Sequence, residues 1–256
     1  MSAIHQFDNG VKVYDHHLTP RQRKRYQQIN IHEPREEELF VNIISSLGRG
    51  DCFVSVGSAI GYYPILARKI NPAMPVHAFD PLKLHRQRFE ENILLNDLRV
   101  EDFSIHEKAV AFADGLSTFL EQTFGSVVVD SFSLAGAVTY FKIIIKKMLT
   151  LMGIRHFQVG ASTVQTVSLG TLIKIVDQPI GLLQMDIQGV EAAVLGGGTA
   201  ALASHHIKNF LIGTHGARIH DECVDILRRS GYQIVIADKE VENQPDGLIH
   251  ATLTGR

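Results

Sequence analysis

Two short stretches of this chain carry residue types and spacings that could hold a nucleotide-like ligand. In "FVSVGSAIGYYPILA" (Phe53 to Ala67) an apolar run reaches Gly57, passes small or apolar residues to Gly61, and becomes a helix-like pattern. A backbone that passes close to a ligand cannot carry a Cβ at the contact, and glycine also permits positive φ. A glycine turn between strand and helix presents amide N–H groups at a helix N-terminus, which favours an anionic or polar ligand group. In "HAFDP", roughly twenty residues on, Asp80 ends the next strand-like run. A carboxylate there can accept two hydrogen bonds from ribose hydroxyls. Asp80 also reads as a helix N-cap with Pro81 at the first helical position, a role compatible with ribose binding. The nicotinamide fingerprint GxGxxG is absent, since no glycine lies between Gly57 and Gly61. An NAD-dependent oxidoreductase is therefore the less favoured reading.

Such residues need a scaffold that ends strands and starts helices at one place. "EEELFVNIISSL" puts Leu39, Phe40, Ile43, Ile44 and Leu47 on one helical face, with acidic residues in its first turn. A short buried strand "CFVSV" follows, then a helix from about Tyr62, the strand "PVHAF", a helix over Leu82 to Asn96, and a strand within Phe103 to Phe112. Later, "GLLQMD" precedes a helix "QGVEAAVL", "NFLIGT" precedes a helix "DECVDILRRSG", and "YQIVIA" and "GLIHATL" close the pattern. Asp221 and Gly231 supply start and stop signals for the last helix. Strands alternating with helices predict a doubly wound α/β fold with a mainly parallel sheet covered on both faces. The site then belongs beyond the carboxyl ends of the strands.

Residues 115–169 interrupt the alternation and read as an insertion, a lid or acceptor-binding region. Within it, "VTYFKIIIKKMLTLMG" places Val138, Phe141, Ile145, Met148 and Met152 on one helical face. A helix touching a lipid or hydrophobic substrate is one reading. The plainer one, an insertion helix packed on the core or on a second subunit, is preferred.

The bulk numbers set bounds. The chain has 256 residues, 45% hydrophobic and 20% charged, as expected for one α/β domain over 1–256 with an N-terminal segment and helix over 1–50. A formal charge of −2 gives no basic field for nucleic acid. "PRQRKRY" (Pro20 to Tyr26) is locally basic and reads as a solvated N-terminal segment. Cys52 and Cys223 form no disulfide framework or CxxC pair, and no apolar signal core or membrane-length run is present. The expectation is a cytoplasmic protein, with a homo-oligomer compatible with the sequence.

The runs "FVSVGSAIGYYPILA", "HAFDP", "FEENILLN" and "LLQMDIQGVEAAVLGG" resemble, in order and spacing, the FkbM family of S-adenosylmethionine-dependent methyltransferases. The resemblance covers about Glu36 to Ile236. It implies the class I methyltransferase fold, a Rossmann-like seven-stranded sheet, mostly parallel, with one antiparallel edge strand. It also implies S-adenosylmethionine as cofactor, held by Ser55, Gly57, Ser58, Gly61, Tyr62, Asp80 and Pro81, with Ala109 lining the adenine face. Two positions depart from the family pattern. Ser55 stands where an acid is usual two residues before the first glycine, so a carboxylate for the cofactor's ammonium group is expected from elsewhere, Asp51 or one of Glu36 to Glu38. Gln188 stands where the family usually has glutamate.

The implied reaction is O-methylation of a hydroxyl on a small molecule, a sugar or secondary metabolite. A non-catalytic cofactor-binding relative is the alternative that Ser55 and Gln188 raise. Asp186, closing "LLQMD", is the first choice as base or acceptor-orienting group, and His215, closing "FLIGTH", the second. Gln188 and Glu191 are assigned to the acceptor. No metal is expected. His215, His220 and Cys223 fit no structural-zinc spacing, and a divalent ion near Asp186 and Glu191 is the minor alternative.

Overall fold

A computed structural model of the chain describes residues 2–121, 127–129 and 160–253. The apolar-faced segment around residue 145 lies outside the described residues. A short antiparallel hairpin, β1 (Ile4–Gln6) and β2 (Lys12–Tyr14), leads into helices α1 (Pro20–Tyr26) and α2 (Pro34–Ser46). The alternation then begins with β3 (Cys52–Val56), α3 (Tyr62–Ile70), β4 (Val76–Phe79), α4 (Lys83–Leu95) and β5 (Phe103–His106). Past the insertion it resumes with α5 (Leu169–Val176), β10 (Ile180–Met185), α6 (Glu191–Gly197), α7 (Thr199–Ala203), β11 (Ile207–Thr214), α8 (Ala217–Arg229), β12 (Tyr232–Asp238) and β13 (Gly247–Leu253).

Seven strands form one sheet in the order β12-β13-β11-β10-β3-β4-β5. The five from β11 to β5 run parallel, and β13 is antiparallel to both of its neighbours. The expected seven-stranded, mostly parallel sheet is present. Its antiparallel strand lies one place in from the edge, because the final hairpin folds back and seats β13 between β11 and β12. The carboxyl ends of β3, β4, β10 and β11 therefore meet on one rim, with β3 and β10 adjacent at its centre.

Side-chain alternation assigns each face its own core. Phe53, Val76, Ala78, Leu182 and Leu211 pack with α2, α3, α4 and the N-terminal hairpin. Val54, Val56, Leu183, Met185, Phe210 and Ile212 pack with α5 through α8. Two polar side chains break the first pattern, Ser55 on β3 and its register partner Gln184 on β10. Both are buried.

Three strands of the insertion, β7 (Gly115–Glu121), β8 (Val127–Val129) and β9 (Gly160–Val167), form a second sheet with β6 (Ala109–Val110), which precedes it, in the order β6-β9-β7-β8. The strand expected across Phe103 to Phe112 is thus split, its second part joining the other sheet. Two helix starts also differ from expectation. The last helix begins a turn before Asp221, after Gly216 at φ 117°, and Asp221 pairs with Lys239 instead. The helix expected from Gln188 begins at Glu191, because Gln188 and Gly189 adopt φ 59° and 98°.

Candidate active site

The turn after β3 is built by its neighbours. Gly57 has φ 83°, and a Cβ there would lie 2.1 Å from the Asp186 carbonyl oxygen on the adjoining strand end. Gly61 has φ 84°, and its Cβ would lie 1.8 Å from the Phe89 ring of α4. The glycines are thus required by packing within the protein. The amides are spoken for as well. Gly57 and Ser58 donate to the Phe79 carbonyl, Gly61 to the Ser58 carbonyl, and Ala59 to Asp80 Oδ2 at 3.0 Å. The expectation that these amides face a ligand is corrected, and what the turn leaves open is its side chains. The Ser58 hydroxyl is buried and has no hydrogen-bond partner among the described residues.

Helix α4 holds this turn through two asparagines of "NILLN", four apart on one helix face. Asn92 donates to the Ile60 carbonyl at 2.9 Å and accepts from the Tyr14 amide. Asn96 accepts from the Lys12 amide at 2.9 Å and donates to the Lys12 carbonyl at 2.7 Å, as a strand partner would. The N-terminal hairpin is thereby fixed over the rim. Phe7 packs against Tyr26 and Tyr62, with ring centroids 4.9 and 4.8 Å apart.

Between rim and hairpin lies a cavity of about 380 Å³, within the size range of small-molecule sites. Its wall includes Ser55 to Ile60, Asp80, Ala109, Gln184, Asp186 and Asp246 from the sheet side, and Arg21, Arg25, Tyr26 and Glu33 from the N-terminal side. The basic run is therefore not a purely solvated segment. Thr19 caps α1 in a reciprocal box with Gln22, which turns Arg21, Arg25 and Tyr26 toward the cavity.

At the ends of β10 and β11 a charged cluster forms. His215 Nδ1 donates to Glu191 Oε1 at 2.9 Å, while Nε2 lies 3.2 Å from Asp246 Oδ1 and 3.6 Å from Asp186 Oδ1. Burial disfavours the imidazolium, but the Glu191 hydrogen bond and the Asp186, Glu191 and Asp246 carboxylates outweigh it, raising His215 to about 9. Burial pushes the Asp186 carboxyl up to about 7, opposed by His215 and reinforced by Glu36, Asp246 and Glu191. Glu191 is fully buried, accepts from the Gly189 amide at 3.0 Å, and is absent from the cavity wall.

The family model for the methyltransferase FkbM domain matches residues 51–234 of this chain. The chain belongs to the FkbM methyltransferase family. It is a methyltransferase, and its cofactor is S-adenosylmethionine. No curated relative matches the sequence. Solved structures similar to this FkbM chain include a candidate rRNA methylase of Clostridium thermocellum, 8% identical, covering 85% of this chain and 95% of that one with a TM-score of 0.50. A ribosomal protein L11 methylase of Lactobacillus delbrueckii subsp. bulgaricus is 13% identical, with 88% and 80% covered and a TM-score of 0.47. The TrmK protein of M. capricolum, in complex with S-adenosylhomocysteine, is 10% identical, with 84% and 67% covered and a TM-score of 0.45. At such identities the likeness is one of fold.

The residues fit the cofactor. Ser55, Gly57, Ser58, Tyr62, Asp80, Pro81 and Ala109 share the cavity wall, whereas Gly61 sits behind it against Phe89. The Ser58 hydroxyl, unpaired among the described residues, keeps its hydrogen-bonding capacity for a polar group. Asp80 Oδ1 accepts only from the Leu82 amide among the described bonds, at 2.9 Å, which leaves that oxygen capacity for a hydroxyl. Its other oxygen holds the Ala59 amide and lies 3.0 Å from His85 Nδ1. Helix α4 starts at Lys83, so Pro81 precedes the helix rather than opening it. The Tyr62 hydroxyl is engaged by Glu37 and Asn9.

Of the residues expected to serve the acceptor, Asp186 and Gln188 reach the wall, the Gln188 amide lying 3.4 Å from Asp186 Oδ1. His215 and Glu191 lie behind it, which corrects the expectation that they face the substrate. Among the described residues, His215, His220 and Cys223 form no metal-binding group: His220 bonds Thr214, and Cys223 is core. Donor atoms of Asp186, Glu191 and His215 do lie within 4.8 Å of one another, a set that could hold a cation, although both nitrogens of His215 already face carboxylates.

Sequence reasoning passed over Gln184, Glu33 and Asp246. Gln184 was the findable one, a lone amide inside the apolar run "GLLQM". Asp246 sits in "QPDG", which reads only as a turn.

Proposed function

We propose that this FkbM methyltransferase transfers its methyl group to a hydroxyl oxygen of a small, hydroxylated molecule such as a sugar or secondary metabolite. The observation that carries the proposal is Asp186, a carboxylate on the cavity wall at a central strand end, raised by burial to about 7. A general base is most useful when its pKa lies near the working pH. When bound, S-adenosylmethionine supplies an electrophilic methyl group on a sulfonium.

In this reading, Asp80 receives the ribose hydroxyls and the Ser58 hydroxyl takes a polar group of the cofactor. Asp186 accepts the acceptor's hydroxyl proton, and Gln188 orients that hydroxyl without competing for the proton. His215, held as an imidazolium between Glu191 and Asp246, is a positioning residue for the carboxylates and not the base. Holding the acceptor in line supplies on the order of 7–11 kcal/mol in favourable cases. Asp80, Asp186, Asp246 and Glu33 outnumber Arg21 and Arg25 on the cavity wall, which disfavours a phosphodiester acceptor. Both cysteines are free and buried, and no described helix is long and apolar enough to cross a membrane. These observations support the cytoplasmic assignment within the proposal.

The test is methyl transfer from labelled S-adenosylmethionine to panels of sugars, phenols, small amines and RNA. Label on an alkali-stable ether of a hydroxylated molecule is expected. Label confined to RNA or to amines would refute the proposal.

A further inference from the structure

The methionine end of the cofactor carries an ammonium group, and this chain lacks the acid at position 55 that the family pattern would offer it. The four acidic replacements expected from the sequence separate cleanly. Asp51 lies at the amino end of β3, away from the cavity, and pairs with Lys208 at 2.7 Å. Glu38 is exposed and pairs with Arg35. Glu37 is occupied by Tyr62 and Asn9. Glu36 alone connects to position 55: Ser55 Oγ donates to Gln184 Oε1 at 3.0 Å, and Gln184 Nε2 donates to Glu36 Oε1 at 3.2 Å. Ser55, Gln184 and Glu36 are 1%, 3% and 1% exposed.

Helix α2 begins beside this relay, and its N-cap residue Glu33, 6% exposed, forms part of the cavity wall with Ser55 and Gln184. The Glu33 carboxyl is hydrogen-bonded to that of Glu36, and Asp186 adds repulsion. Burial pushes both glutamates upward; the neighbouring acids reinforce it at Glu33, whereas hydrogen bonds from Glu33 and Gln184 oppose it at Glu36. The cation acting on Glu33 is Arg25, whose Nη2 donates to the His32 carbonyl and the Tyr26 hydroxyl. Two adjacent buried carboxyl groups, one of them on the cavity wall, are costly to ionise unless a ligand brings positive charge. The unpartnered Ser58 hydroxyl on the same wall independently marks a polar ligand there.

We propose that Glu33, braced by Glu36 and the Gln184–Ser55 relay, receives the α-ammonium group of the cofactor, so that α2 supplies the charge that β3 does not. The proposal rests on S-adenosylmethionine being the cofactor, and its test keeps the two apart.

Calorimetric titration of the full chain would use S-adenosylhomocysteine and its desamino analogue, which keeps the carboxylate and loses only the ammonium. The unaltered chain is expected to bind S-adenosylhomocysteine more tightly than the analogue. Glu33→Gln should weaken S-adenosylhomocysteine by about tenfold or more, the scale of one lost charge-assisted hydrogen bond. It should leave the analogue unchanged or tighter, since a repulsive charge near its carboxylate is removed. Glu36→Gln should act in the same sense but less strongly. Retained binding of the analogue also reports that each variant is folded. Equal loss of both ligands on Glu33→Gln, or no loss of either, would overturn the ammonium site while leaving the cofactor in place. Failure of the unaltered chain to bind S-adenosylhomocysteine would overturn both.

Discussion

At Asp186 three influences compete, and their balance sets the chemistry. Burial against the rim and the neighbouring acids favour the protonated form, while the His215 imidazolium favours the carboxylate. The outcome near 7 makes the residue half-ionised around neutrality, which gives a directional prediction. Turnover should rise as pH increases through about 7 and then level, because only the ionised form accepts a proton. Asp186→Asn should lower turnover by roughly 10²–10⁴-fold and abolish that limb. Its S-adenosylhomocysteine affinity should stay within about threefold, or about 0.65 kcal/mol, no more than one weak hydrogen bond. An Asn variant that retains the limb would show that another group titrates. The same residue explains Gly57 from the opposite side: its carbonyl occupies the space where any larger residue at 57 would place a Cβ.

Helix α4 is the element on which the site depends most, although it offers the cavity wall only His85. Phe89 fills the space opposite Gly61, Asn92 holds the Ile60 carbonyl, and Asn96 pairs with both polar groups of Lys12. Asn96→Ala should therefore cost about 1–3 kcal/mol, read as an earlier denaturant midpoint. Protease sensitivity should rise first within the N-terminal hairpin. A midpoint unchanged from the parent chain would mean that the hairpin is held by its aromatic contacts alone. The sequence made the repeating strands and helices legible because Cys52–Val56 and the last two strands are short apolar runs bounded by turn residues. It concealed the hairpin, whose strands "IHQ" and "KVY" have three residues each and find their partner in a helix 84 positions away. Glu33 and Asp246 stayed hidden for the same reason: each gains meaning only from side chains on distant segments.

Across the whole molecule, charge is concentrated rather than large. A net charge of −2 hides a buried group of acids around one imidazolium. His215 is raised from 6.5 to about 9, so the folded chain holds a proton there that the unfolded chain has released. Its stabilising contribution is complete below about 6.5 and is lost as pH rises through about 9. Melting temperature should fall over that interval, and His215→Gln should flatten the fall even though it lowers the melting temperature overall. A parent melting temperature that climbs toward pH 9 would contradict the assignment.

The paired grip of Asn96 on Lys12 also has a temporal side. During synthesis the roofing hairpin leaves the ribosome before its anchor, which emerges 84 residues later. The amino-terminal stretch must wait, undocked, until that anchor is translated, and loop closure over such a span is entropically slow. Ligand-binding competence thus follows the translation of the anchor, although the roof itself is made earlier.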